Sequence, residues 1–160
     1  MKTRFTLIAV LLTMWAGYSQ KNVAGNYIYK TECLGVELDG SETVKAWGNG
    51  RNRSDAVEQA KKNAVRDIIF FGLVEGKQEC KQKPLLLEVN AQEKYEAYFN
   101  KFFADGGEYK NYISLRDERL LDKVSRDRKK ARGSVTNGFI VRVLRSELKE
   151  KLIADGIIKQ

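Results

Sequence analysis

The chain has 160 residues, and its 29 Lys and Arg against 21 Asp and Glu give a formal net charge of +8. Because it contains no histidine, Ser-His and Cys-His catalysis are excluded. Its two cysteines are too few for an ordinary zinc site unless carboxylates complete the ligand set. We therefore expect no enzyme activity, no metal and no cofactor. A pair of carboxylates facing a cleft would still suffice for a glycosidase, and this alternative stays open.

Residues 1–19 have the pattern of a cleavable secretory signal peptide. Lys2 and Arg4 make a positive start, an apolar stretch runs from Phe5 to Trp15, and Ser19 supplies a small residue for cleavage. The apolar stretch is shorter than the about 20 residues that span a bilayer. We therefore expect an exported protein, periplasmic or secreted, without a stable membrane anchor. An uncleaved N-terminal anchor is the alternative.

Residues 20–160 are predicted to form one globular domain, since their number lies within the usual range for one. Only two of the charged residues, Lys2 and Arg4, lie before residue 20, so the net charge falls from +8 to +6. A basic exported protein is suited to an acidic protein, an anionic polysaccharide or a lipid headgroup. Nucleic acid is not an expected partner in that compartment. Basic and acidic residues are mixed along most of the chain, so an ordinary solvated surface is the simpler account of the charge.

The first predicted elements form a β-hairpin. Thr31–Glu37 and Glu42–Trp47 are strand-like, and the Asp-Gly pair in Leu38–Ser41 favours a tight turn between them. Alternation along the second run places Val44 and Ala46 on one face of the sheet. One face of this hairpin is therefore expected to face the core.

The two cysteines, Cys33 and Cys80, both follow the predicted signal peptide. In an oxidising compartment such a pair is expected to form a disulfide. In the chain-entropy model, closing this loop contributes about 4 kcal/mol to stability. Two separate buried thiols are the alternative.

A helix is predicted over residues 55–71, directly after the hairpin. Gly48–Gly50 is expected to break the preceding strand, Ser54 to cap the helix, and Gly72 to end it in a left-handed conformation. Apolar residues recur in the helix at spacings of three and four, and several of them are alanine. We therefore expect the helix to lie close against the sheet.

The middle of the chain is predicted to contain a strand, a helix and a further strand. Leu85–Val89 reads as a short buried strand, and Asn90 with Glu93 resembles a capping box that opens a helix over 91–104. The aromatic stripe of this helix is expected to belong to the core. Tyr109–Leu115 is predicted to be the next strand.

The segment Arg116–Arg132 is dense in charge. We expect it to be partly helical over Asp117–Val124 and to carry a basic cluster in its second half. Such clusters bind polyanions, although solvated loops of this composition are the alternative. The candidate anion-binding residues are Arg51, Arg53, Arg126, Arg128, Lys129, Lys130 and Arg132.

The last predicted elements are a strand over Val135–Leu144, inside the sheet, and a helix over Ser146–Asp155. Ile157 and Ile158 are expected to dock the C-terminus on the core. The sequence thus predicts a single α+β domain with an antiparallel or mixed sheet and helices packed on one face.

Two stretches also resemble known bacterial proteins. Ala46–Gly50 followed by Ser54–Val65, with alanines at positions 56, 60 and 64, is similar to the strand, Gly-x-Gly and helix pattern of the amino-terminal domain of flagellar assembly protein T and related small envelope lipoproteins. More of the chain, including Asn90–Tyr109, resembles a family of uncharacterised bacterial exported proteins. The first resemblance implies a compact α+β module that serves envelope assembly through protein contacts, without catalysis. No Cys near residue 19 is present for lipid attachment.

These observations lead to two functional hypotheses. The first is a non-catalytic accessory module that binds another cell-envelope component, most simply an envelope protein. The alternative is a binding protein for an anionic glycan or lipid headgroup, which would use the basic residues named above.

Overall fold

The computed structural model describes residues 30–80, 83–114, 129–131 and 134–159. The predicted signal peptide, residues 1–19, and the predicted helix Asp117–Val124 lie outside the described residues. So do Arg126, Arg128 and Arg132 of the predicted basic cluster.

Six strands form one mixed sheet: β1 (Glu32–Val36), β2 (Glu42–Gly50), β3 (Glu75–Gly76), β4 (Ile113–Ser114), β5 (Lys129–Ala131) and β6 (Ser134–Val143). The strand order is β3-β1-β2-β6-β4, and β5 also pairs with β6. The β1–β3 pair is parallel and all other pairs are antiparallel. The predicted hairpin is confirmed, and so is the internal position of β6.

The helical elements are α1 (Arg53–Arg66), which continues as a π-helical turn over Asp67–Phe71, α2 (Ala91–Lys94), α3 (Glu96–Phe102), a 3-10 turn over Glu108–Tyr112, and α4 (Arg145–Ala154). The α1 helix packs across β2 and β6. The predicted α+β class, with a mixed sheet and helices on one face, is confirmed.

The glycines near the end of β2 serve helix packing and do not break the strand, so that prediction was wrong. β2 stays paired with β6 through Gly50. A Cβ atom at Gly48 would lie 1.9 Å from the carbonyl oxygen of Ala56 and 2.5 Å from the amide nitrogen of Ala60. Only glycine therefore allows α1 to approach β2 this closely.

The two ends of α1 were predicted with unequal success. Asn52, not Ser54, caps the helix, because its side-chain oxygen accepts a hydrogen bond of 2.9 Å from the amide of Asp55. At the other end Gly72 ends the helix with a positive φ of 73°, as predicted, but its ψ of 174° lies outside the left-handed helical region. Its amide bonds to the carbonyl of Asp67 and closes the π-helical turn.

The core lies between the sheet and α1, with α4 and the aromatic face of α3 beside it. Val44 and Ala46 of β2 are buried, as predicted, and so are Phe139, Val141 and Val143 of β6. The buried side chains of the helices include Ala56, Ala60, Ala64, Val65, Phe99, Phe102, Leu148 and Leu152. The predicted core role of the aromatic stripe on helix 91–104 is therefore confirmed.

Three predictions for the middle of the chain were wrong. Leu85–Val89 is not a strand, and Asn90 has a φ of 63° and forms no side-chain cap. Of the predicted strand Tyr109–Leu115, the described residues 109–112 lie in a 3-10 turn and Ile113–Ser114 pair with β6, while Leu115 lies outside the described residues. Tyr109 lies in that turn because its fully buried ring packs on the core.

The C-terminal prediction is confirmed. α4 begins and ends within one residue of the predicted bounds. Ile157 is buried, and both Ile157 and Ile158 donate backbone hydrogen bonds to the carbonyl of Leu152. Within the described part of the chain, no helix is long and apolar enough to cross a membrane.

Candidate protein-binding surface

Exposed apolar side chains are concentrated in one part of the chain. Of the five large apolar side chains that are exposed among the described residues, four lie between positions 71 and 89; the fifth, Leu38, lies in the turn of the hairpin. Scattered exposed apolar residues are ordinary, whereas a concentration of them marks an interaction site. We call Phe71, Val74, Leu87 and Val89 the 71–89 surface.

The segment Leu85–Val89 is held by the end of the helix that precedes it. The amides of Leu85 and Leu86 donate hydrogen bonds of 3.0 and 2.9 Å to the carbonyls of Ile68 and Ile69. Carbonyls in the last turn of a helix have no partner within the helix. The extended segment satisfies two of them and buries Leu86, while Leu87 and Val89 remain 74% and 83% exposed.

Two shallow grooves border this segment. The first has a volume of about 230 Å³ and lies between Phe70–Phe71 and the start of α2. The second has a volume of about 320 Å³ and lies between Leu85–Leu87 and the C-terminal residues Ile157–Lys159. Leu86 and Glu88 line both grooves. The segment is therefore a ridge between two grooves, the first of mixed polar and apolar lining and the second mainly apolar.

Phe70 and Phe71 differ in burial at the end of the π-helical turn. The ring of Phe70 meets the buried ring of Phe99 edge to face, with centroids 4.6 Å apart. Phe71 is 58% exposed, and the guanidinium of Arg66 lies 5.9 Å from its ring. One phenylalanine thus anchors the turn in the core while the next is offered to solvent.

The predicted disulfide is present and tethers the loop that leads to this surface. Cys33 and Cys80 are bonded, and their Cα atoms lie 6.2 Å apart. The amide of Lys77 bonds to the carbonyl of Cys33 at 3.0 Å, and the guanidinium of Arg145 donates to the carbonyl of Lys83 at 2.7 Å. These contacts join the loop to β1 and to the start of α4.

Arg145 also forms a buried ion pair with Glu42, the first residue of β2. Its Nη1 atom lies 3.5 Å from Glu42 Oε2, and both side chains are almost fully buried. Breaking a buried ion pair by removing one partner strongly destabilises a protein, because the remaining charge is left unpaired. The ion pair fixes α4 against the sheet. It thereby fixes the Arg145 guanidinium, which donates to the carbonyl of Lys83.

The charged groups at the first groove are mainly acidic. Glu88 pairs with Lys94, and the hydrogen bond from that ammonium lowers the pKa of the Glu88 carboxyl. Glu93 also lines the groove, is exposed, and forms no ion pair with another described residue. The groove therefore combines apolar and polar lining side chains, and Lys94 neutralises one of its two carboxylates.

The structure places some of the predicted anion-binding residues at one end of the sheet. Lys130 of β5 lies opposite Val135 of β6, which in turn lies opposite Gly50 of β2. Arg51 follows directly, and its exposed side chain pairs with Asp55 at 3.3 Å. Lys129 and Arg53, also predicted, lie at the same end.

A third, polar groove of about 370 Å³ contains several carboxylates beside α1. Burial acts to raise the pKa of Glu58, but hydrogen bonds from Lys61 and Tyr109 outweigh it and lower the pKa to about 2. The hydrogen bond from Lys62 lowers the pKa of Asp105. A glycosidase needs one carboxyl group that stays protonated. Neither of these two carboxyls meets that need at neutral pH.

The described residues contain no group of three or more His, Cys, Asp or Glu side chains that could hold a metal ion.

Comparison with known proteins found no matching family model, no matching curated protein and no matching solved structure.

The 71–89 surface was not predicted from the sequence. Leu85–Val89 was assigned to a buried strand because a short apolar run is typical of one. A usable indication was the run Ile68–Phe71, since four consecutive apolar residues cannot all face the core from one helix. Such a run must either pack against another part of the protein or leave a side chain exposed at its end.

Proposed function

We propose that this protein is a non-catalytic, exported accessory module that binds another protein of the cell envelope through the 71–89 surface. The observation that carries the proposal is the concentration of exposed apolar side chains between positions 71 and 89, of which Phe71 lines one shallow groove and Leu87 the other. A few side chains that become fully buried in well-packed pockets commonly contribute most of the binding energy at protein interfaces.

The way the surface is held supports this proposal. The ridge is fixed by backbone hydrogen bonds to the end of α1, and the loop before it by the disulfide and by Arg145. A surface that is already ordered loses little conformational entropy when a partner binds. The exposed side chains are therefore suited to rapid, rigid docking.

The exposed apolar side chains would supply part of the energy that specific binding needs, since association itself costs about 4–15 kcal/mol. Burying one large apolar side chain contributes about 1.5–3 kcal/mol. Phe71, Leu87 and Val89 are each more than half exposed, so burying all three would contribute on the order of 4–6 kcal/mol. Contacts at the rim would add to this value.

Export is part of the proposal. The N-terminal pattern of positive, apolar and small residues is typical of secretory signal peptides. The Cys33–Cys80 disulfide is compatible with an oxidising compartment, where such bonds persist. N-terminal sequencing of the mature protein tests this part, and a start at Gln20 is expected.

The binding proposal is tested by cross-linking tagged protein in the producing cells and comparing variants after a high-salt wash. Leu87→Ser combined with Val89→Ser is expected to remove a stoichiometric envelope-protein partner. Leu38→Ser is the matched control, because Leu38 is fully exposed but lies in the hairpin turn. Equal recovery of the partner with all variants would contradict the proposal.

A second candidate function is binding of an anionic glycan or lipid headgroup. It is favoured by the strand register that brings Lys129 and Lys130 to the end of the sheet where Arg51 and Arg53 lie. Positive charges gathered in this way attract polyanions in a salt-dependent manner. Binding of dextran sulfate and of phosphatidylglycerol vesicles, each compared between the parent and a variant with these four residues changed to Gln, tests the candidate.

A further inference from the structure

We propose that Asp105–Gly106 is a modification site, at which the folded protein spontaneously converts Asp105 to isoaspartate. The proposal is independent of the 71–89 surface. It is carried by a fully exposed carboxylate next to a backbone amide that donates no hydrogen bond to the backbone of the described residues.

The reaction joins the side chain of an aspartate to the backbone amide that follows it. The nitrogen of Gly106 attacks Cγ of the protonated Asp105 carboxyl, the amide proton leaves with a hydroxyl group as water, and a succinimide ring remains. Water then opens the ring at either carbonyl and gives aspartate or isoaspartate. The water released in the first step is consumed in the second, so the product has the mass of the parent. Glycine in the second position favours the attack, because it has no Cβ atom to obstruct its amide.

The bonding of the glycine amide distinguishes the three Asp-Gly pairs of the chain. These pairs are Asp39–Gly40, Asp105–Gly106 and Asp155–Gly156. The amide of Gly40 donates to the carbonyl of Glu37 at 3.0 Å, and the amide of Gly156 donates to the carbonyl of Ile153 at 3.0 Å. Each of these amides must first break its hydrogen bond before its nitrogen attacks. Gly106 lies in the turn after α3, and its amide has no such bond to break among the described residues.

Two of the three carboxylates are also held by hydroxyl groups. The carboxylate of Asp39 accepts hydrogen bonds of 2.9 Å from the amide and 2.6 Å from the hydroxyl of Ser41. The carboxylate of Asp155 accepts a hydrogen bond of 2.6 Å from the hydroxyl of Tyr98. Each must be released before its Cγ atom reaches the next amide.

The carboxylate of Asp105 is the least restrained of the three. Its side chain is fully exposed, and its partner among the described residues is the ammonium of Lys62 at 2.8 Å. An ion pair with one fully exposed member holds its groups only weakly. A Cβ atom built on Gly106 would meet no atom within 4 Å, so neighbouring groups leave the turn open for ring closure.

Isomerisation would change the corner that joins α3 to the 3-10 turn. The Cβ atom of Asp105 enters the main chain, which becomes one methylene longer, and the carboxylate moves to Cα. The ion pair with Lys62 would be lost in its present geometry. Both residues line the third, polar groove, so the charge at the rim of that groove would be rearranged.

Peptide mapping of the folded, disulfide-bonded protein after prolonged incubation at weakly acidic pH tests the proposal. Isoaspartyl and aspartyl peptides separate by chromatography, and a protease that cleaves before aspartate does not cleave before isoaspartate. Asp155 is the matched comparison within the same molecule, since alanine precedes and glycine follows both Asp105 and Asp155. Isoaspartate at position 105 is expected to exceed that at position 155 by about twofold to tenfold, the factor for opening one ordinary hydrogen bond.

Two Asn variants test the same reactivity on a shorter timescale. Asparagine forms the same ring with loss of ammonia, so Asp105→Asn is expected to lose its amide faster than Asp155→Asn in the folded protein. Asp105→Glu keeps the carboxylate but requires a larger ring, and it should abolish the modification at this position. The parent chain, unfolded in urea with the disulfide reduced, is the control, and positions 105 and 155 should react at similar rates there.

Equal amounts of isoaspartate at positions 105 and 155 of the folded protein would overturn the proposal. A preference for position 105 that is equally large in the unfolded chain would also overturn it, since the neighbouring residues and not the fold would then set the rate. Because position 105 lies outside the 71–89 surface, either result leaves the proposed function to its own test.

Discussion

Replacing Gly48 by alanine is expected to destabilise the fold severely. The added methyl group would lie 1.9 Å from the carbonyl oxygen of Ala56, 2.5 Å from the amide nitrogen of Ala60 and 2.9 Å from the carbonyl carbon of Ala56. All three atoms belong to the backbone of α1, so no side-chain rotation relieves the clash. The helix would have to move away from β2 by more than about 1 Å to restore ordinary contact distances.

The energetic cost follows from what such a shift disturbs. Ala56, Ala60, Ala64 and Val65 are fully buried against the sheet, and protein interiors pack too tightly to absorb the displacement. Overpacking a core typically costs 1–3 kcal/mol, occasionally more. Because the obstructing atoms are backbone, we expect Gly48→Ala to cost at least about 3 kcal/mol, a large part of the stability of an ordinary domain.

Urea unfolding with the disulfide intact, followed by the fluorescence of Trp47 and by circular dichroism, measures this cost. The matched control is Gly35→Ala in β1, where the added methyl group would meet only Glu79 Oε1 at 3.8 Å. The control is expected to change stability by less than about 1 kcal/mol. A Gly48→Ala protein as stable as this control would refute the close packing of α1 on β2.

Three further predictions concern titratable and disulfide-forming groups. Glu58→Gln should lower the free energy of unfolding at pH 7 by about 1–2 kcal/mol, a value reduced to allow for the partial exposure of the side chain. Because the folded-state pKa of Glu58 is depressed to about 2, this loss should shrink as pH falls from 4.5 towards 2. Unfolding curves taken across that pH range measure the change. Burial raises the pKa of Asp67. Any contribution of the Asp67 carboxyl to folding stability is therefore complete only below its unfolded-state pKa, and it is lost as pH rises through the folded-state pKa. Asp67→Asn should therefore be at least as stable as the parent at pH 7, and a marked loss there would contradict this reasoning. Changing Cys33 and Cys80 together to Ser should cost about 4 kcal/mol, whereas free thiols in the unreduced, unfolded parent would show that the bond does not form.

The sequence predicted best those elements in which the spacing of apolar residues agrees with their burial. The hairpin, β6 and α4 have clear alternation or helical spacing, and their apolar residues are buried where the pattern requires. The Cys33–Cys80 bond followed from having only two cysteines in an expected oxidising compartment. These features are determined locally or by a single pairing.

The errors arose where tertiary contacts decide the conformation. Leu85–Val89 has the composition of a strand but is held by two carbonyls at the end of α1. Gly48 and Gly50 appeared to mark a bend because the helix that requires them packs across the strand and is not visible in the local pattern. The 71–89 surface escaped prediction for the same reason, since exposure at Phe71 and Leu87 depends on how the ridge lies on the helix.

The central claim, that the 71–89 surface binds an envelope protein, is tested most directly by site-specific photo-cross-linking in producing cells. A photoreactive amino acid is placed at Leu87 in one strain and at Leu38 in another, since both positions are exposed. We predict that one envelope protein is cross-linked from position 87 and not from position 38. The same products from both positions, or none from position 87, would contradict the account.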